Sequence, residues 1–258
     1  MLFFTIASGS KGNCAFAAAG RTSLLVDAGV SCARIERALR AQGQEPGALA
    51  GVLLTHEHHD HIAGVERLAK KYGLPVYASP KTWEALAHAV SLPPSLCRSF
   101  SYDMQLGDFR LDFCKISHDA VQPVGLVLEA AGRRLAYVTD TGCVTKGMCH
   151  SLRRLDALVL EANHDWAMLM QGPYAPALKR RVAGLSGHLA NTQAAELLDK
   201  LLEAEPSCRV LLAHLSETNN TPDLAYAAAA KVLEQHRREP EAQLAVAPAA
   251  DISQVWQL

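Results

Sequence analysis

Several features are scarce in this 258-residue chain, and each scarcity removes a class of protein. No apolar run reaches the ~18 residues that a bilayer span needs, so a membrane-crossing helix is not expected. The opening Met1-Leu2-Phe3-Phe4-Thr5-Ile6-Ala7 carries no charged stretch and is too short for the apolar part of a signal peptide. No two cysteines are spaced C-x-x-C. Cys14, Cys32, Cys97, Cys114, Cys143, Cys149 and Cys208 are scattered and odd in number, which speaks for reduced thiols rather than a disulfide framework. A cytoplasmic protein is expected. Charge of one sign is lacking too: 25 Lys and Arg face 26 Asp and Glu, for a net charge of −1. That balance excludes a wholesale basic clamp, so any nucleic-acid contact must come from a local patch. Linkers, repeats and low-complexity tracts are missing, so one domain over residues 1–258 is expected. Hydrophobic residues at 49% provide for a large core.

What is present is an alternation of short apolar strands and helical stretches. Strands are predicted over Leu2–Ala7, Thr22–Asp27, Gly51–Thr55, Pro75–Ala78, Phe109–Ile116, Val124–Ala130, Arg134–Thr139, Ala157–Glu161, Arg209–Ala213 and Leu244–Ala247. Helices are predicted over Cys32–Ala41, Ile62–Tyr72, Pro80–Ala89, Thr145–Leu152, Thr192–Ala204 and Pro222–Arg238. Hairpin-like strands first, then β/α alternation in each half, suggest an α/β (α+β) chain. The expected form is two mixed sheets packed face to face with helices outside.

The most informative stretch is Leu54-Thr55-His56-Glu57-His58-His59-Asp60-His61, straight after the apolar run Gly51-Val52-Leu53. Ligand types at i, i+2, i+4 and i+5 (His56, His58, Asp60 and His61) cannot share one face of a regular strand. A loop leaving a buried strand can aim them at two adjacent points. Imidazole with carboxylate suits zinc, manganese or iron. Four further residues stand where an apolar strand ends: Asp27, His118, Asp140 and His214. Groups on strand ends are well oriented, and different strands can converge on one crevice.

This ordered set resembles the metallo-β-lactamase superfamily: a D-x-G strand end, then H-x-H-x-D-H, then a His, an Asp and a last His. The resemblance implies a four-layer αββα sandwich and two divalent ions, with His56, His58 and His118 on the first. Asp60, His61 and His214 would hold the second, and Asp140 would bridge the two. Asp27 would accept a hydrogen bond that fixes the orientation of a ligand histidine. Two such ions share a water, lower its pKa and clamp the substrate oxygen while hydroxide attacks.

The second half narrows the substrate. Leu158-Val159-Leu160-Glu161-Ala162 and Gly187-His188-Leu189-Ala190-Asn191 are similar to the paired signature of tRNA 3′-processing nucleases. There a Glu–His dyad, here Glu161 and His188, protonates the leaving oxygen of a phosphodiester. With Asp60, these are the candidate catalytic residues. The chain also resembles throughout the bacterial YycJ/WalJ-type family of 5′-to-3′ DNA exonucleases. The carrying segments are Ala7-Ser8-Gly9-Ser10-Lys11-Gly12-Asn13, Ser117-His118-Asp119-Ala120, Glu161-Ala162-Asn163-His164-Asp165, Gly172-Pro173-Tyr174 and His214-Leu215-Ser216. The expected partner is therefore DNA or RNA, with no obligate protein partner inferred. Lys179, Arg180 and Arg181 offer a small basic cluster for phosphates, and Tyr174 a ring for stacking. Ser10, Lys11 and Asn13 lie on a small-residue loop suited to an anion such as a 5′-phosphate. The competing expectation is a hydrolase of a small substrate (a cyclic phosphodiester, thioester or lactam) on the same fold.

Overall fold

The computed structural model describes residues 1–100, 103–204 and 208–258. Its described strands form two seven-stranded sheets. In the first, β1 (Leu2–Ala7), β2 (Cys14–Ala19) and β3 (Thr22–Val26) form an antiparallel meander. Then β4 (Gly51–Leu53), β5 (Val76–Ala78) and β6 (Cys97–Ser99) continue in parallel. In the second sheet, β7 (Asp103–Leu106), β8 (Phe109–Lys115), β9 (Val124–Ala130) and β10 (Arg133–Val138) form a meander. It is extended in parallel by β11 (Ala157–Glu161), β12 (Arg209–Ala213) and β13 (Leu244–Val246). Finally β14 (Trp256–Gln257) returns to the first sheet beside β1.

The layering follows from period-two side-chain alternation on strands buried on both faces. Phe3, Ala15, Ala17, Leu24 and Leu53 of the first sheet meet Leu111, Leu126, Leu135, Tyr137 and Val159 of the second between the sheets. Their neighbours Phe4, Phe16, Leu25 and Val52 point the other way, against Ile35 and Leu39 of the helix Cys32–Ala41 and Leu68 of the helix Val65–Tyr72. On the far side, Val127, Leu158, Leu160 and Val210 pack on Leu197, Leu198 and Leu201 of the helix Asn191–Ala204 and Leu233 of the helix Pro222–Gln235. Helices thus cover both outer faces, giving the four-layer αββα sandwich. Among the described residues, no helix is long and apolar enough to cross a membrane.

Three local departures from the sequence pattern have physical reasons. Cys14–Ala19 forms a strand although its run of alanines has little strand propensity; small side chains fit where two sheets meet closely, and Phe16 stacks on Phe4. The predicted helix Ile62–Tyr72 is two pieces, His59–Ile62 and Val65–Tyr72, parted at Gly64. There the chain passes so close to Val30 that a Cβ would lie 2.0 Å from its carbonyl oxygen. Short helices Trp166–Gln171 and Pro176–Val182 lie between β11 and the helix Asn191–Ala204, where no helix is predicted. Asp165 caps the first of these, its carboxylate accepting from Met168 N at 2.9 Å.

Candidate metal centre

The crevice lies at one end of the sandwich, where strands of both sheets stop. Asp27 follows β3, Thr55 and His56 follow β4, His118 follows β8, Asp140 follows β10, and His214 follows β12. Glu161 is the last residue of β11. Asp27, Asp140 and His214 have φ of 59°, 59° and 55°. In these left-handed turns the backbone leaves the strand line abruptly. Such conformations are costly for non-glycine residues and persist where the surroundings over-determine them.

Two groups of donors result. His56 Nε2 lies 3.2 Å from His58 Nδ1, which lies 3.2 Å from His118 Nε2. Ligand nitrogens of a tetrahedral zinc with bonds of about 2.0–2.1 Å stand about 3.3 Å apart, so these three fit one cation. Asp60, His61 and His214 form a second group, with His61 Nε2 3.6 Å and His214 Nε2 3.8 Å from Asp60 Oδ2. Asp140 stands between the groups, with Oδ2 3.2 Å from His61 Nε2 and Oδ1 3.8 Å from His118 Nε2. His214 Nε2 and Asp140 Oδ2 are buried and have no hydrogen-bond partner among the described residues. Orphaned buried atoms of this kind demand a ligand, and a metal pair fits them. The clustered His and Asp donors are consistent with a dinuclear metal site.

The ring tautomers are fixed from behind. His61 Nδ1 donates to Asp27 Oδ2 at 2.7 Å, His118 Nδ1 to the Gly187 carbonyl at 3.0 Å, and His214 Nδ1 to Glu161 Oε1 at 2.8 Å. His56 Nδ1 donates to Thr55 Oγ1 at 3.0 Å, and that hydroxyl donates to Asp27 at 2.9 Å. Each leaves Nε2 turned to the crevice, the arrangement typical of metal-binding histidines. Asp27 thus orients His61 directly and His56 through Thr55, a residue that sequence reasoning passes over. Its position between a strand end and the His cluster is the signal that could have marked it.

The charge balance also calls for cations. Burial pushes His56 well below the usual histidine value, so it stays neutral. Burial opposes charge on His61 and His214 as well, but the carboxylates win. Asp27 and Asp140 raise His61 well above the usual value, while Asp140, Asp60 and Glu161 raise His214 to about 10. Asp140, despite burial, is held well below the carboxylate range by His214 and His61. The clustered carboxylates thus favour positive charge at these rings, and divalent ions would supply it in place of protons.

Glu161 is fully buried, and all of its acceptor capacity is engaged. Oε1 accepts from His188 Nδ1 and His214 Nδ1, both at 2.8 Å. Oε2 accepts from Thr141 N at 2.9 Å and Leu189 N at 3.1 Å. Against the cost of burial, His188 and His214 hold the carboxyl down at about 2. The His188 ring lies 5.0 Å from that of His118 and 5.2 Å from that of His214, beside both donor groups.

The residues singled out for nucleic-acid contact fall in different places. Asn13 is fully buried and turned inward: its amide nitrogen lies 3.2 Å from Asp60 Oδ2 and 3.0 Å from His61 Nε2. Its carbonyl accepts from Gly9 N at 2.9 Å, which closes the loop and withdraws Asn13 from any surface contact. Ser10 and Lys11 are exposed, and Lys11 pairs with Glu217. Tyr174 is half-buried and Arg180 exposed. The Lys179 ammonium donates to the Met170 carbonyl at 2.6 Å, and Arg181 Nε donates to Asp119 Oδ2 at 2.6 Å.

Fold and donor set define a metal-dependent hydrolase of the metallo-β-lactamase superfamily. The Beta-lactamase superfamily domain matches residues 22–215. The metallo-β-lactamase fold protein YhfI from Bacillus subtilis superposes with a TM-score of 0.74 at 20% identity, covering 99% of this chain and 98% of that one. The exodeoxyribonuclease YycJ of Bacillus anthracis is 38% identical over 90% of this chain and 89% of its own length. The exodeoxyribonuclease WalJ of Streptococcus pneumoniae serotype 2 is 36% identical over 86% of this chain and 84% of its own. The chain belongs to the family of these YycJ/WalJ proteins.

Proposed function

We propose that this protein is a 5′-to-3′ DNA exonuclease working with two divalent ions, drawn from zinc, manganese and iron. His56, His58 and His118 would hold one ion, Asp60, His61 and His214 the other, and Asp140 both. When bound, the ions supply an activated water and a clamp for the phosphoryl oxygens. The observation that carries the reading is the Glu161–His188 dyad set beside the donor groups, with the His188 ring within 5.0 and 5.2 Å of ligand-type imidazoles. Glu161 holds His188 by Nδ1–H, so Nε2 is the nitrogen that exchanges a proton with the leaving oxygen. A thioester or lactam hydrolase has no need of such an acid, and relatives named exodeoxyribonucleases support the phosphodiester choice. Asp27, Thr55 and Asn13 keep the ligand rings in place and present no atom to substrate.

The test is digestion of DNA labelled at either end by protein of measured metal content. Early loss of the 5′ label as mononucleotides is expected, with the 3′ label retained until late. Internal fragments would replace the exonuclease reading with an endonuclease. Turnover of small esters with both labels intact would replace it with a small-substrate hydrolase.

A further inference from the structure

The basic run 179–181 does not act as one patch, since each of its side chains has a different setting. The Lys179 ammonium is spent on its own neighbourhood through the Met170 carbonyl. Arg181 instead reaches out of the helix Pro176–Val182 to the loop after β8, where Asp119 Oδ2 takes its Nε–H at 2.6 Å. The other oxygen of that carboxylate, Oδ1, lies 3.4 Å from His118 Nε2 and 3.9 Å from His58 Nε2. The guanidinium is therefore parted from the first donor group by the width of one carboxylate. Its side chain remains 59% exposed, and neither terminal amino group has a hydrogen-bond partner among the described residues. A guanidinium anchored through Nε keeps a planar pair of N–H groups to offer, which matches a phosphate. Val121, two residues past Asp119 on the loop after β8, and Leu185, three residues past the helix Pro176–Val182, are 56% and 74% exposed, so both chain segments that this ion pair joins also present apolar surface. Sugar and base faces fit such surface, and a lone inorganic anion does not need it.

We propose that Arg181, held at the crevice mouth by Asp119, grips the phosphate next to the one being cleaved and so selects polynucleotides over small phosphodiesters. Arg181 is a specificity-determining residue and Asp119 its positioning residue. The inference rests on the phosphodiesterase reading, and it adds a substrate requirement: a second phosphate beside the scissile bond.

The test compares single-stranded oligodeoxynucleotides with bis(p-nitrophenyl) phosphate, which has one phosphate only, using wild type, R181A, R181K, D119N and the R181A/D119N double variant, each with its metal content measured. In R181A, the ratio of kcat/KM on DNA to kcat/KM on the small diester is expected to fall about 10–100-fold, the usual weight of hydrogen bonds to a charged group, mainly through KM. R181K is expected to recover part of it, because the charge remains and the fork is lost. D119N should move the ratio in the same direction, and the double variant should be no worse than R181A. Log–log salt dependence of DNA binding should flatten by about one phosphate contact in R181A. An unchanged ratio in R181A, with wild type degrading DNA, overturns the assignment of Arg181. Additive losses in the double variant overturn the positioning role of Asp119. Wild type that hydrolyses the small diester and leaves DNA intact overturns the nuclease reading itself.

Discussion

Replacing Glu161 with glutamine changes one oxygen to an amino group in a pocket where every approach is a donor. If the amide oxygen takes the Oε2 position it keeps Thr141 N and Leu189 N, and the NH2 then faces His188 Nδ1 and His214 Nδ1. The reverse orientation sets the NH2 against two backbone N–H groups that cannot adapt. The first is less costly, because an imidazole can move its proton to Nε2 and accept at Nδ1. For His214 that shift occupies the very nitrogen that points into the crevice. The carboxyl lies at about 2 in the fold against about 4.5 when unperturbed, held there, against burial, by His188 and His214. A shift of that size corresponds to about 3 kcal/mol of stability. Its sign is that of a depressed carboxylate: the stabilisation is full above about pH 4.5 and lost as pH falls towards 2. Glu161→Gln should therefore lower the unfolding free energy of the metal-stripped protein by about 3 kcal/mol at pH 7, with a gap that narrows below pH 4.5. It should also weaken retention of metal about 10–100-fold, the usual cost of losing a partner behind a ligand histidine. Urea titrations across that pH range and metal analysis after dialysis read both effects. Full stability and full metal content in a variant that has lost only cleavage would refute the reasoning, leaving Glu161 as a partner of His188 alone.

Metal binding near neutral pH should release roughly two protons, from His61 and His214, visible as a buffer-dependent heat in titration calorimetry; metal affinity should fall as pH is lowered. His188→Ala should keep its metal and cleave phosphodiesters ~10²–10⁴-fold more slowly, measured as single-turnover rates on labelled DNA. His164 is fully buried with neither ring nitrogen hydrogen-bonded among the described residues, and burial holds it down at about 4. The unfolded chain takes up that proton first, so the wild type should lose about 3 kcal/mol relative to His164→Leu as pH falls from about 6.5 to 4, and none above that window. Gly142→Ala puts a Cβ 2.4 Å from the Gly184 carbonyl oxygen and 2.5 Å from Gly187 N, so the strap carrying His188 must move; slower cleavage with a lower melting temperature is expected.

Two strands of the second sheet were legible from their apolar runs: Ala157–Glu161 is apolar up to its closing glutamate, and Val124–Ala130 is broken only by Glu129. The strand Cys14–Ala19 was not, since its alanines carry a packing requirement imposed by the opposite sheet. The donors were legible by type and order, and the structure gathers His56, His58, Asp60, His61, His118, Asp140 and His214 in one crevice. What the chain order could not convey is who stands behind them. Thr55 relays between His56 and Asp27, and Asn13 closes on Asp60 and His61 from a loop that looks like an anion site. The relay depends on where the left-handed turn at Asp27 sets its carboxylate, and such a turn leaves no mark in composition or periodicity.

The same distances show how His188, the proposed leaving-group acid, shares its carboxylate partner with a ligand-type histidine. Glu161 Oε1 accepts from His214 and His188 at equal distance, so both rings are registered on one atom at the end of β11. A rigid central strand of the second sheet thereby sets the gap between the second donor group and the candidate leaving-group acid. Residues 181–187, which lead into His188, are tied to the loop of the first donor group as well, through the Gly187 carbonyl on His118 and through Arg181 on Asp119. Any shift of that segment would move His188, the His118 ring and the Arg181 guanidinium together. The phosphate contact proposed for Arg181 would therefore sit on the same segment as His188 and the carbonyl that holds His118.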